Sequence, residues 1–204
     1  MNWIITTAVF VILIVVCMIF FFFMPTPQLF FDCNIEELKL LKENHNDIEN
    51  EVKNIKNGVS VIPIYGDGHI YNADFPVTYK IMQNIPNVRH IGIIVLKPKF
   101  QQVNQYGVSF NANETLRYFY CINQSAAHKS GIWIDGASKF FTDGEIICGD
   151  MSKEHALFNK HRDNNTVLLF MDIDRGSIKH GQSPNHDVEK DEIIAFFKKQ
   201  LVVK

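Results

Sequence analysis

The stretch Phe140–Arg175, FFTDGEIICGDMSKEHALFNKHRDNNTVLLFMDIDR, decides how the chain is read. FFTDGEIIC holds an Asp143-Gly144 turn between two short apolar runs. GDMSKEHALFN sets His155 between polar and apolar neighbours. TVLLFMDI is an unbroken apolar run with β-branched and aromatic members, the pattern of one buried strand. A histidine at a strand end, followed by a buried strand, can aim a metal ligand into the mouth of a β-barrel.

Working outward, short strand-like runs continue on the N-terminal side. Val59–Tyr65, broken by Pro63, reads as an edge strand, and Val88–Leu96 is stopped by Lys97-Pro98. Leu116–Ile122, Gly131–Asp135, Glu145–Cys148, His155–Phe158 and Thr166–Ile173 follow, with turn residues between them. Asp135-Gly136 supplies the positive φ angles of a hairpin turn. Phe75-Pro76-Val77-Thr78 opens a short helix ending near Ile85. Short, regularly spaced strands with little helix between them predict an antiparallel sandwich or barrel.

The flanks differ in character. Residues 3–24 are apolar except for Thr6 and Thr7. As a helix the run would span roughly 33 Å, enough to cross a bilayer. It lacks the basic start and small-residue cleavage site of a signal peptide. We expect a single-pass N-terminal anchor. Lys39 and Lys42 favour a cytosolic C-terminal side, whereas sequons at Asn113, Asn123 and Asn164 would permit the opposite, so orientation stays open. Leu38, Leu41, His45, Ile48, Val52 and Ile55 recur at three- and four-residue spacings. They read as an amphipathic helix packed on the domain or standing as a stalk; a self-associating seam over 35–57 is the alternative. Residues 188–203 carry Ile193, Ile194, Phe196, Phe197 and Leu201 and read as a terminal helix. The expected layout is 1–25 anchor, 26–57 helical stem, 58–176 β-domain, and 177–204 loop and packed helix.

Composition narrows the function. With 204 residues and 47% hydrophobic content, the chain builds one sizeable domain plus an appendage. A net charge of -2 provides no global field for nucleic acid, and no phosphate-binding glycine loop or nucleic-acid motif is present. Cys33, Cys121 and Cys148 form no CxxC pair, which excludes a zinc ribbon. Free thiols are the default reading, with a single Cys121–Cys148 bridge as the alternative.

From Val61 to Arg175 the motifs Pro63-Ile64-Tyr65, Phe75-Pro76 with Thr78, Ile85-Pro86, Leu96-Lys97-Pro98, Leu116-Arg117-Tyr118, Phe141-Thr142-Asp143-Gly144, Glu154-His155 with Asn159, and Val167–Asp172 occur in a fixed order. In that order and spacing the region resembles the aspartyl/asparaginyl β-hydroxylase family. The resemblance implies a mainly β, double-stranded β-helix (cupin or jelly-roll-like) domain with flanking helices. It also implies Fe(II) and 2-oxoglutarate as cofactors, and Asp or Asn side chains of a protein or peptide as substrate. His155 matches the second iron histidine and Arg117 an arginine that helps hold the cosubstrate. The first iron histidine is replaced by Gln105, a second histidine of the pattern by Phe119, and the cosubstrate arginine opening the last strand by Thr166. Ala156 follows His155 where the pattern has glutamate.

Iron in such a site needs two imidazoles plus open positions, and a far carboxylate needs a guanidinium fork. These substitutions point to a barrel with lost or reduced catalysis that binds a protein or peptide. An active hydroxylase with altered ligation is the alternative, rescued by His128 or His161 as ligand or by Arg162 or Arg175 as clamp. Arg117 has a second reading as a barrel arginine paired with Asp150 or Asp172.

Overall fold

The structure, a computed structural model, describes residues 3, 12–15, 28–55, 60–66, 68–102, 104, 112–124 and 127–183. Most of the expected anchor, Gln105 and the expected terminal helix lie outside the described residues. Among the described residues no helix is long and apolar enough to cross a membrane. Residues 12–15 are helical, with exposed apolar side chains.

Among the described residues, eleven strands form two antiparallel sheets. They are β1 (Phe30–Phe31), β2 (Val61–Gly66), β3 (His69–Ile70), β4 (Val88–Leu96), β5 (Phe100–Gln101), β6 (Thr115–Gln124), β7 (Ser130–Ile134), β8 (Ala137–Phe140), β9 (Ile146–Gly149), β10 (His155–Asn159) and β11 (Thr166–Asp174). The large sheet runs β1-β9-β6-β11-β4-β2-β3 and the small one β5-β10-β7-β8. From β4 to β11 the chain crosses repeatedly between the sheets, and first and last strands pair, Leu96 opposite Thr166. That winding is a double-stranded β-helix. It agrees with the mainly β antiparallel fold expected from strand spacing.

The large sheet is covered on both faces, which is why β4 and β11 are near-continuous apolar runs. On one face Ile91, Ile93, Tyr118, Tyr120, Cys148, Leu169 and Met171 meet the helices. On the other, Ile94, Phe119, Cys121, Leu168 and Phe170 meet Ile132, Ile134 and Leu157 of the small sheet and fill the barrel. Cys121 and Cys148 therefore face opposite sides of the sheet and cannot bridge; both thiols, and Cys33, are free. Burial pushes the Cys121 and Cys148 thiols up to about 12, so both are inert.

Residues 28–55 of the expected stem pack on this body. Phe30 and Phe31 pair with Gly149 and Cys148. Two short helices, α1 (Lys39–Glu43) and α2 (His45–Val52), break at Asn44. With Leu38 of the preceding 3-10 turn, they bury Leu41, Ile48 and Val52 against the large sheet, so the apolar seam is spent on the domain's own core. Glu51 of α2 accepts from Val77 N (2.6 Å), Thr78 N (2.9 Å) and Thr78 Oγ1 (2.7 Å), capping the exposed amides of α3 (Pro76–Met82). The Asp135-Gly136 hairpin has positive φ at both residues, 41° and 92°, as the dipeptide requires.

Candidate functional site

β10 starts at His155, and the side-chain alternation of that strand turns His155, Leu157 and Asn159 into the barrel. The His155 ring is 4% exposed. Its Nδ1–H donates to Lys153 O at 2.8 Å, leaving the Nε2 lone pair as the acceptor. Burial holds the imidazole below its usual value, and Arg117 nearby lowers it further, so the ring is neutral near pH 7.

Arg117 on β6 stands opposite Asp172 on β11. Its Nε and one terminal nitrogen each donate to an Asp172 oxygen at 2.7 Å, a two-pronged pair with a fully buried carboxylate. The guanidinium lies over Phe170, 4.5 Å from the ring centre. A Cβ on Gly92 would meet the Phe170 ring at 2.6 Å and Ile62 O at 2.8 Å, so glycine is what lets this ring support the arginine. His90 of β4, opposite Asp172, places Nδ1 3.7 Å from the same carboxylate. The alternation His90, Gly92, Ile94 along β4 puts His90 on this interior face.

A second buried pair lies beside this cluster. Arg175 donates to both oxygens of Asp150, to Ala112 O (2.8 Å) and to Lys179 O (3.2 Å). Asp150 also accepts from Ser152 N (3.0 Å) and Ser152 Oγ (2.6 Å). Burial alone would raise the Asp150 carboxyl; the Arg175 and Ser152 hydrogen bonds outweigh it and hold it below the ordinary range.

The other expected site residues fall elsewhere. Phe119 fills the barrel, tilted against Phe141 at 5.8 Å between ring centres. Thr166 Oγ1 donates to Ser130 Oγ at 2.9 Å, and Asn159 Nδ2 donates to Leu96 O at 2.8 Å. Uncharged hydrogen bonds thus close the end where the family pattern has its arginine. His161 lies six residues along from His155, ~20 Å on for an extended strand, and its Nδ1 accepts the amides of Asp163 and Asn164. His128 is exposed, edge-on to Phe140 at that same far end. Arg162 is exposed, and Arg175 is committed to Asp150. Trp133 is half-buried on the outer face of the small sheet, a packing position. Asn104 Nδ2 donates to Glu154 Oε1 at 3.0 Å, which brings Asn104 beside the neighbour of His155; Gln105 itself lies outside the described residues.

The donor chemistry can be set against an iron and a 2-oxo acid. The described interior holds two imidazoles, His155 and His90, while the Asp172 and Asp150 carboxylates are closed by arginine forks. No group of three or more His, Cys, Asp or Glu side chains that could hold a metal ion occurs among the described residues. The one arginine matched to cosubstrate binding already holds a carboxylate of its own chain. These described residues do not fit the Fe(II) and 2-oxoglutarate pair.

The winding defines the class, a double-stranded β-helix domain. Residues 36–176, more than half of the chain, match the aspartyl/asparaginyl β-hydroxylase family model, and the chain belongs to that family. Among solved structures it is similar to an oxidoreductase of the 2OG-Fe(II) oxygenase family from Burkholderia pseudomallei. That likeness has 11% identity, covers 78% of this chain and 100% of that one, and has a TM-score of 0.45. It is also similar to a Cupin 2 conserved barrel domain protein from Salinispora arenicola CNS-205, with 10% identity, 60% and 81% covered and a TM-score of 0.37. A third likeness is to the plu4264 protein from Photorhabdus luminescens, with 15% identity, 43% of this chain and 64% of that one covered, and a TM-score of 0.33. No curated protein matches the sequence.

Proposed function

We propose that this chain is a membrane-anchored aspartyl/asparaginyl β-hydroxylase-family protein whose barrel has lost most or all oxygenase chemistry and binds a protein or peptide. The observation that carries this reading is the Arg117–Asp172 pair. A guanidinium committed at both prongs to an internal carboxylate is neutralised before any cosubstrate arrives. Thr166, tied to Ser130, offers no replacement cation at the closed end. The exposed apolar helical residues 12–15 support the anchor.

One observation favours a second reading, an active hydroxylase with altered ligation. His155 keeps the orientation of a metal ligand, with Nδ1–H fixed on a carbonyl and Nε2 left as acceptor. Calorimetric titration of the detergent-solubilised full chain with 2-oxoglutarate, in the presence of Fe(II) and absence of O₂, separates the two. The first reading expects no saturable heat. Saturable heat from the wild-type chain would favour the second.

A further inference from the structure

Three loops meet at the end of the barrel opposite His155: residues 97–99 after β4, 127–129 before β7 and 160–165 between β10 and β11. They are bonded to one another, Lys160 N to Lys129 O at 2.7 Å and Lys99 N to His161 O at 2.9 Å, while Asn159 ties β10 to Leu96 O and Asn164 O. This rigid platform carries Lys97, Lys99, Lys129, Lys160 and Arg162, all exposed, against one carboxylate, Asp163. A proportionate share of the chain's charges would put about one cation and one acid there. Lys99, Lys129, Lys160 and Arg162 have no salt bridge among the described residues. The chain as a whole is at -2, so the positive field is local to this end.

We propose that this platform docks an acidic segment of a partner protein. The side-chain chemistry of the platform favours carboxylates over the other polyanions. The adjoining rings are already engaged: His128 stands edge-on to Phe140 at 5.2 Å, Phe140 edge-on to Phe158 at 5.9 Å, and Lys160 covers Phe158. Four of the five cations are lysines, mobile point charges that suit carboxylates in varied positions better than a fixed bidentate phosphate clamp. The site is independent of the barrel interior and stands whether or not the barrel turns over a substrate.

The test uses the full chain in neutral detergent and a fluorescent oligo-glutamate peptide, with oligothymidylate and phosphatidylserine vesicles titrated in parallel. We expect saturable peptide binding that weakens with salt and falls at least about tenfold in Lys99→Glu/Lys129→Glu/Lys160→Glu. The milder Lys129→Gln/Arg162→Gln pair should weaken binding in the same direction with an unchanged melting curve, and the triple Lys→Arg variant should retain it. Equal peptide affinity in wild type and folded charge variants would overturn the proposal. So would tighter binding of the oligonucleotide or the vesicles than of the peptide.

Discussion

At the scale of single residues, the interior is governed by who neutralises whom. Asp172 is fully buried, and its charge is tolerated because Arg117 grips both oxygens. Arg117→Met should therefore destabilise the fold by about 3–5 kcal/mol, the cost of an unpaired buried charge. Arg117→Met/Asp172→Leu should recover much of that loss, read by chemical denaturation of both variants. Acid sensitivity follows from two other groups. His155 is depressed by burial, so its contribution is complete above its ordinary value of about 6.5 and is lost as pH falls through the lower folded value. Asp150 is depressed by Arg175 and Ser152, and its contribution is lost only in a lower window, below the ordinary carboxyl value. Stability against pH should fall in two steps, and His155→Gln should remove the upper one. Little of this was legible beforehand: the sequence left Arg117 open between Asp150 and Asp172, because the choice depends on strand register, which no residue declares by itself. Phe119 and Thr166 could be read as departures from the family pattern; that they pack and close the barrel required the fold.

At the scale of elements, a contact between helices fixes the N-terminal segment. Glu51 caps α3 from α2, joining two elements that the large sheet alone would hold less firmly. Glu51→Ala should cost about 1–2 kcal/mol by thermal or denaturant melting, while Glu51→Gln, which keeps one acceptor, should cost less. β2, β4, β6, β7, β9, β10 and β11 were legible because apolar runs and turn residues mark them directly; Val88–Leu96 was read with its observed ends. β1, β3, β5 and β8 have two to four residues each and no period of their own, so only their partners define them. The 35–57 spacing announced an apolar helical face. Neither the break at Asn44 nor its docking on Tyr120 was visible, although Tyr120 donates to Leu41 O at 3.0 Å and takes the His45 Nδ1–H at 2.6 Å.

At the scale of the whole molecule, the two ends of the barrel have diverged. One end gathers buried, internally neutralised charge around His155; the other presents exposed cations on a rigid platform. The fold persists because core packing is indifferent to whether interior polar groups serve a cofactor or one another. The helical segment 36–55 belongs to that fold: a fragment beginning at residue 58 would strip Leu38, Leu41, Ile48 and Val52 from the core. The full chain is therefore the proper material for functional work. The central proposal is that an internal ion-pair network stands where the family has its oxygenase site. Succinate release by the purified full chain, supplied with Fe(II), 2-oxoglutarate, O₂ and Asp- or Asn-bearing peptides, tests it most directly. The account predicts none above a protein-free blank; turnover that disappears in His155→Ala would contradict it.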